Sequence, residues 1–286
     1  MRLMELQDTA LVPQLTRIAD ALERLVAASP AAAPDRPDWH GAPAYAWDAG
    51  GGRELARIVA PGLDLLRGVD AQKRAVTTNV ARLAAGLPAH DMLLWGARGT
   101  GKSALLRAAV AGAQADGGNI ALVQVAADAV PSLPALLREL GKAARNYLVF
   151  LDDLGFEAGD NVTPRHLRSW LDGGVEARPA NVRLAVTSNR RAIVARDASE
   201  QDDPINPRDA VDDRLALADR FGLSLGFHVA SQEEYLAILH GYAAEYGLSL
   251  DEGEALEWSK RRGARSGRVA WHFITELAGR AGKVLE

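Results

Sequence analysis

Between Asp91 and His228 the chain alternates short apolar runs with stretches of helical spacing. The runs Asp91–Trp95, Ile120–Val125, Tyr147–Leu151, Val182–Thr187 and Leu223–His228 predict five strands. Lys102–Gln114, Leu133–Leu140 and Pro164–Leu171 predict the helices between the first four. Thr163 followed by Pro164 supplies a capping side chain and a first-turn proline, and Gly173-Gly174 stops the same helix. Strands alternating with helices predict an α/β body, a parallel five-stranded sheet with helices on both faces.

Beyond the last strand the pattern is helical throughout. Ser231 with Glu234 forms a capping-box signal, Asp251 with Glu254 repeats it, and Val269, Phe273, Ile274 and Leu277 mark a third helix. Upstream, Leu3, Leu6, Leu11, Leu15, Ile18, Leu22 and Leu25 predict an amphipathic N-terminal helix. Pro30, Pro34, Pro37 and Pro43 then punctuate an alanine-rich linker. Trp39, Tyr45 and Trp47 are costly to leave in water, so the end of this arm is expected to pack onto the body. The expected division is an arm and linker over 1–50, an α/β domain over 51–230 and a helical lid over 231–286. No internal repeat is visible.

Composition narrows the chemistry. The 286 residues include 33 basic and 37 acidic side chains, a formal charge of -4, which excludes a pervasive basic field but not a local one. No cysteine is present, so disulfide scaffolds, thiolate catalysis and cysteine zinc sites are excluded. Charges at Glu5, Asp8, Arg17, Asp20, Glu23 and Arg24 interrupt any signal-peptide core, and no apolar run is long enough to span a bilayer. The expectation is a cytoplasmic protein without membrane contact. The six histidines show no ligand spacing, and there is no G-x-S-x-G nucleophile elbow.

Gly96-Ala97-Arg98-Gly99-Thr100-Gly101-Lys102-Ser103 matches the phosphate-binding pattern G-x-x-x-x-G-K-S in full, between a strand and a helix. Glycines let successive N–H groups turn inward toward phosphate oxygens, and the helix N-terminus adds partial positive charge. Lys102 is expected to reach the β and γ phosphates of ATP, and Ser103 to bind Mg²⁺ through its hydroxyl. The competing reading is a glycine-rich turn with an ordinary lysine.

The strand Tyr147–Leu151 ends in Asp152-Asp153. A carboxylate there can hold Mg²⁺, a task assigned to Asp152, while Asp153 is placed to orient or deprotonate an attacking water. Alternatively, the pair is a solvated turn. Ala185–Ser188 ends in Asn189, which would share the crevice at the carboxyl edge of a parallel sheet. It could hold the water, contact the terminal phosphate or merely cap a turn. Val69, in Gly68-Val69-Asp70 just before the Gln72–Leu83 helix, is expected at the adenine edge.

This set of residues resembles the AAA+ ATPases from about Leu66 onward. Leu148–Gly155 resembles the Asp-Asp form of the second motif in replication initiators and helicase loaders. Many AAA+ members carry glutamate at the position of Asp153; the shorter aspartate implies slow or partner-stimulated hydrolysis. Asn189 matches the sensor-1 position, Ser266-Gly267-Arg268 resembles the sensor-2 arginine, and Asp219-Arg220-Phe221-Gly222 resembles the block that supplies an arginine finger to a neighbouring subunit. Leu66–Asp70, the phosphate loop, the Asp152-Asp153 turn, Thr187–Arg191 and Asp219–Gly222 are more similar still to a conserved bacterial family of predicted AAA+ ATPases of unsettled function. The residues alone leave Arg220 open to pairing with a nearby acid, and Arg268 open to a place in a solvated basic patch.

The resemblance implies an Mg²⁺-dependent ATPase, a homo-oligomer with nucleotide at its subunit interfaces, that remodels a protein or nucleic-acid partner. A DNA-transaction helper is the alternative, with Lys260, Arg261, Arg262 and Arg265 as the backbone-contacting patch. A small-molecule kinase using the same loop is a third class. Residues 197–213, with seven acids against one arginine, are expected to form a solvated loop rather than a metal site.

Overall fold

Among the described residues, seven strands form one sheet that makes the body of the chain. A computed structural model gives this arrangement and describes residues 37–154, 171, 178–189 and 219–285. The expected N-terminal helix, the Pro164–Leu171 helix and the acidic 197–213 loop lie outside the described residues, apart from Leu171 itself.

Five strands match the apolar runs: β3 (Met92–Gly96), β4 (Ile120–Val125), β5 (Asn146–Leu151), β6 (Val182–Ser188) and β7 (Leu223–Phe227). All their mutual pairings are parallel. Their interiors are nearly continuous runs of buried apolar residues, as a sheet covered on both faces requires.

The other two strands correct the expectation of five. β1 (Ala44–Asp48) and β2 (Gly51–Leu55) form an antiparallel hairpin closed by Ala49-Gly50, and β1 pairs in parallel with β4, so the strand order is β2-β1-β4-β5-β6-β3-β7. The boundary expected after residue 50 therefore falls in a hairpin turn. Tyr45 and Trp47 project from alternate positions of β1 into one face of the sheet. Trp39 packs on Tyr45 with ring centroids 4.7 Å apart, and the Tyr147 hydroxyl donates to the Trp39 carbonyl at 2.7 Å. Burial of these three rings ties the end of the linker to the body.

One face of the sheet is covered by α1 (Asp70–Ala84) and α2 (Lys102–Ala115), packed over Met92, Leu94, Leu148, Phe150 and Ala185. The other carries α3 (Leu133–Leu140) and the aromatic residues of the hairpin, over Leu93, Val123, Val149 and Leu184. The C-terminal helices are α4 (Gln232–Glu245), α5 (Glu252–Arg261) and α6 (Gly267–Arg280), built on a separate core around Tyr235, Leu239, Phe273 and Ile274. Ser231 and Glu234 form the reciprocal capping box of α4, and Asp251 and Ser266 cap α5 and α6. These caps satisfy backbone N–H groups that helix starts leave without partners.

Candidate functional site

The loop after β3 runs from Gly96 to Gly101 and delivers Lys102 as the first residue of α2. Gly96 has φ of 131°, and a Cβ there would sit 2.0 Å from the Phe227 carbonyl oxygen, so only glycine lets β3 leave the sheet beside β7. Gly99 faces the lid, where a Cβ would meet Ser266 and Arg268 at 2.9 and 3.1 Å. The Arg268 N–H donates to the Gly99 carbonyl at 3.3 Å. The start of α6 is thus seated directly on the phosphate loop.

Lys102 is 5% exposed, and its ammonium donates to the carbonyls of Gly96 and Ala97 at 2.8 Å each and to Asn189 Oδ1 at 3.2 Å. Burial pushes this lysine below its ordinary value, and the charges of Asp153 and Asp152 oppose that shift. The Thr100 hydroxyl closes the loop on the Ala97 carbonyl at 2.8 Å.

Parallel strands bring the remaining groups to the same edge. The Asp152 carboxylate, one residue past β5, accepts from Ser103 Oγ and Thr187 Oγ1 at 2.6 Å each, both through Oδ1. Thr187 also accepts from the Asp153 N–H at 2.8 Å, and its own carbonyl accepts from the Leu154 N–H at 3.0 Å. Thr187 therefore fixes the turn that aims both aspartates. It belongs to the expected Thr187–Arg191 cluster, but nothing in its local sequence signals this bracing role. Asp153 is the one non-glycine among the described residues with positive φ, at 50°, a conformation aspartate tolerates better than most. Its Oδ1 accepts from Asn189 Nδ2, and its Oδ2 lies 3.5 Å from Arg98 Nη2.

Ser103 and Asp152 offer hard oxygen ligands already within hydrogen-bond distance of each other. Among the described residues no three His, Cys, Asp or Glu side chains cluster as a metal cage. Two protein oxygens completed by water and phosphate is the arrangement Mg²⁺ favours, so the donor set fits that ion rather than a metal caged wholly by protein.

Beside the loop lies a cleft of about 130 Å³, open to solvent. Leu65, Leu66, Gly68 and Val69, Ile238 and Tyr242 of α4, and Thr100, Gly101, His228 and Val229 are among its lining residues, with Arg67, Gln72 and Glu234 as charged or polar members. Its largely apolar walls suit a flat heterocycle next to a phosphate site. Val69, expected at the adenine edge, is one of the residues that line this cleft. The contributions of His228, Ile238 and Tyr242 carry no local signal, because they converge only when the lid folds over β7.

Arg220 is not part of this cluster. Leu223 pairs with Met92 and Phe227 with Gly96, so Arg220 precedes the end of β7 farthest from the phosphate loop. Four strand steps of about 3.3 Å separate Leu223 from the loop edge, roughly 13 Å in all.

The phosphate loop after the interior strand β3, the Asp-Asp turn two strands away, the asparagine between them and the helical lid give the chain an AAA+-like P-loop fold. Solved structures agree at the level of fold. The RuvB Holliday junction branch migration motor of Thermotoga maritima superposes with a TM-score of 0.51 at 18% identity, over 78% of this chain and 66% of that one. The Orc1 protein of Aeropyrum pernix in complex with DNA gives 0.54 at 18% identity, over 79% and 66%. The chain thus spans just under two thirds of either structure. Residues 40–281 match the family described as protein of unknown function, DUF815, and the chain belongs to that family. No curated protein matches it.

Proposed function

We propose that this chain is an Mg²⁺-dependent ATPase that binds nucleotide between subunits of a homo-oligomer and uses hydrolysis to remodel a protein or nucleic-acid partner. The observation that carries the proposal is one continuous network: Ser103 and Asp152 joined on one side, and Lys102, Asn189 and Asp153 joined on the other. Lys102 balances charge on the β and γ phosphates, and the loop N–H groups and the α2 terminus bind their oxygens. Ser103 and Asp152 hold Mg²⁺, which when bound offsets negative charge on the phosphates. Asp153 accepts the proton of the attacking water on its carboxylate, and Asn189 orients the group that does so. The adenine occupies the cleft beside Val69, and Arg268 reaches the phosphates from the lid. Arg220 acts on the site of a neighbouring chain.

A DNA partner is the second reading. Lys260, Arg261, Arg262 and Arg265 are all exposed; the first two end α5, and the others lie in the turn that leads into Ser266 and the phosphate loop. Lys260 pairs with Glu257 at 2.8 Å and Arg262 stacks 4.2 Å over Trp258, leaving cationic surface for a phosphate backbone. The named RuvB and Orc1 structures are of proteins that act on or bind DNA, which supports testing this partner first.

The test of the activity is a comparison of two neutralised aspartates. Asp152→Asn should weaken Mg²⁺-dependent ATP binding. Asp153→Asn should bind ATP normally and lose hydrolysis, the pattern of an interaction needed only in the transition state. Parental turnover in both variants would overturn the assignment.

A further inference from the structure

Arg98 occupies the third position of the phosphate loop, where the pattern requires neither glycine nor charge. Its guanidinium nevertheless lies 3.5 Å from Asp153 Oδ2, while Asn189 donates to Oδ1 of the same carboxylate. Each oxygen of Asp153 is therefore held by a different element, one by the loop after β3 and the other by the end of β6. We propose that Arg98 is a positioning residue that draws the Asp153 carboxylate toward the phosphate loop. The inference rests on the reading of Asp153 as the group that activates water.

The physical need comes from reach. Aspartate falls short of glutamate by one C–C bond, about 1.5 Å. A displacement of that order in a catalytic group is enough to cost about a hundredfold in rate. Two features of this chain bear on the gap. The backbone at Asp153 turns at a positive φ of 50°, with its N–H bonded to Thr187 Oγ1. Arg98 then pulls the carboxylate from the side on which the phosphates bind. Stability does not explain the pair, because the two side chains are 72% and 48% exposed and such ion pairs add little.

The experiment uses the full chain, with Arg98→Ala, Arg98→Lys, Asp153→Glu and the double variant Arg98→Ala/Asp153→Glu. Single-turnover hydrolysis at saturating ATP should fall at least about tenfold in Arg98→Ala. The dissociation constant for ATP, measured by calorimetry, should stay within about threefold, since a positioning role acts on the transition state rather than on binding. Arg98→Lys should be intermediate. The longer glutamate needs no pull, so the double variant should hydrolyse ATP within about threefold of Asp153→Glu alone. In nucleotide-free protein, Arg98→Ala should also move the ¹³C resonance of the Asp153 side-chain carboxyl. An equal loss of affinity and rate without rescue by glutamate would make Arg98 a phosphate ligand only. Faster hydrolysis in Arg98→Ala would make it a brake. Either result overturns the proposal, as does an unchanged rate in Arg98→Ala when Asp153→Asn is inactive. Full hydrolysis by Asp153→Asn would instead remove the underlying role of Asp153. Thermal unfolding of every variant separates these outcomes from misfolding.

Discussion

Asn189 Oδ1 accepts a hydrogen bond from Lys102 Nζ at 3.2 Å, joining the end of β6 to the start of α2. The same asparagine donates to Asp153 through Nδ2, so one side chain couples the phosphate-binding lysine to the second aspartate. The buried ammonium is held by this amide and by two backbone carbonyls.

Lys102→Ala should therefore abolish productive ATP binding. Loss of a charge-assisted contact to a desolvated phosphate costs about 2–5 kcal/mol, by analogy with breaking a buried charge pair. Calorimetric titration with ATP and Mg²⁺ measures it. Parental affinity in the variant would rule out Lys102 as the phosphate contact.

Arg220 lies at the far edge of the sheet, so its effect on hydrolysis should require a second chain. ATPase rate per protomer should rise with protein concentration, and Arg220→Ala should bind ATP yet hydrolyse it slowly. Arginine fingers in other nucleotide hydrolases contribute on the order of 10³–10⁵ in rate. Mixing Arg220→Ala with Lys102→Ala should restore activity, because a mixed interface pairs an intact loop with an intact arginine. Mixed oligomers that stay inactive would exclude Arg220 from the site.

Gly96→Ala should destabilise the fold by about 3 kcal/mol or more, since the new methyl meets the Phe227 carbonyl in a backbone conformation that alanine rarely adopts. For a chain of this size that lowers the thermal midpoint by roughly 6–12 °C. Gly86→Ala is the control: it has φ of 70° but nothing within 4 Å, so only the backbone cost of about 1–2 kcal/mol should appear. Equal losses in the two variants would show that the contact with Phe227 is unimportant.

Burial pushes the Tyr147 phenol up to about 12 from an ordinary 10.0, with Tyr45 adding to the shift. A raised value in the folded state means that its contribution is intact below pH 10 and is lost as pH climbs from 10 toward 12. At about 1.4 kcal/mol per pH unit, roughly 3 kcal/mol is at stake. Tyr147→Phe should cost about 1–3 kcal/mol near pH 8, because it leaves the Trp39 carbonyl without its donor. Its deficit relative to the parent should shrink above pH 10. Denaturant unfolding of both proteins at stepped pH measures the gap; a constant gap would contradict the buried-phenol account.

Much of the site was legible before folding because its signals are local. Gly96–Ser103 carries its own turn chemistry, and the apolar run before Asp152 and Asp153 places both carboxylates at a strand end whatever the strand order. The caps at Ser231, Asp251 and Ser266 are equally local, each reaching only three residues along the chain.

What the tertiary structure decided is everything that depends on which strand lies beside which. Ala44–Asp48 reads as the end of a linker because five residues after a proline-rich stretch are too short to signal a strand, and pairing with β4 and with Gly51–Leu55 is what places them in the sheet. Ser103 meets Asp152 across 49 residues, Asp153 meets Thr187 across 34, and Arg98 meets Asp153 from a loop position with no fixed preference. The cleft arises only where the lid closes against β7 and the loop. Spacing along a chain specifies the geometry of one element and its turn. Contacts between distant elements are selected by burial of whole faces, a property of the assembled sheet and its layers rather than of any single stretch.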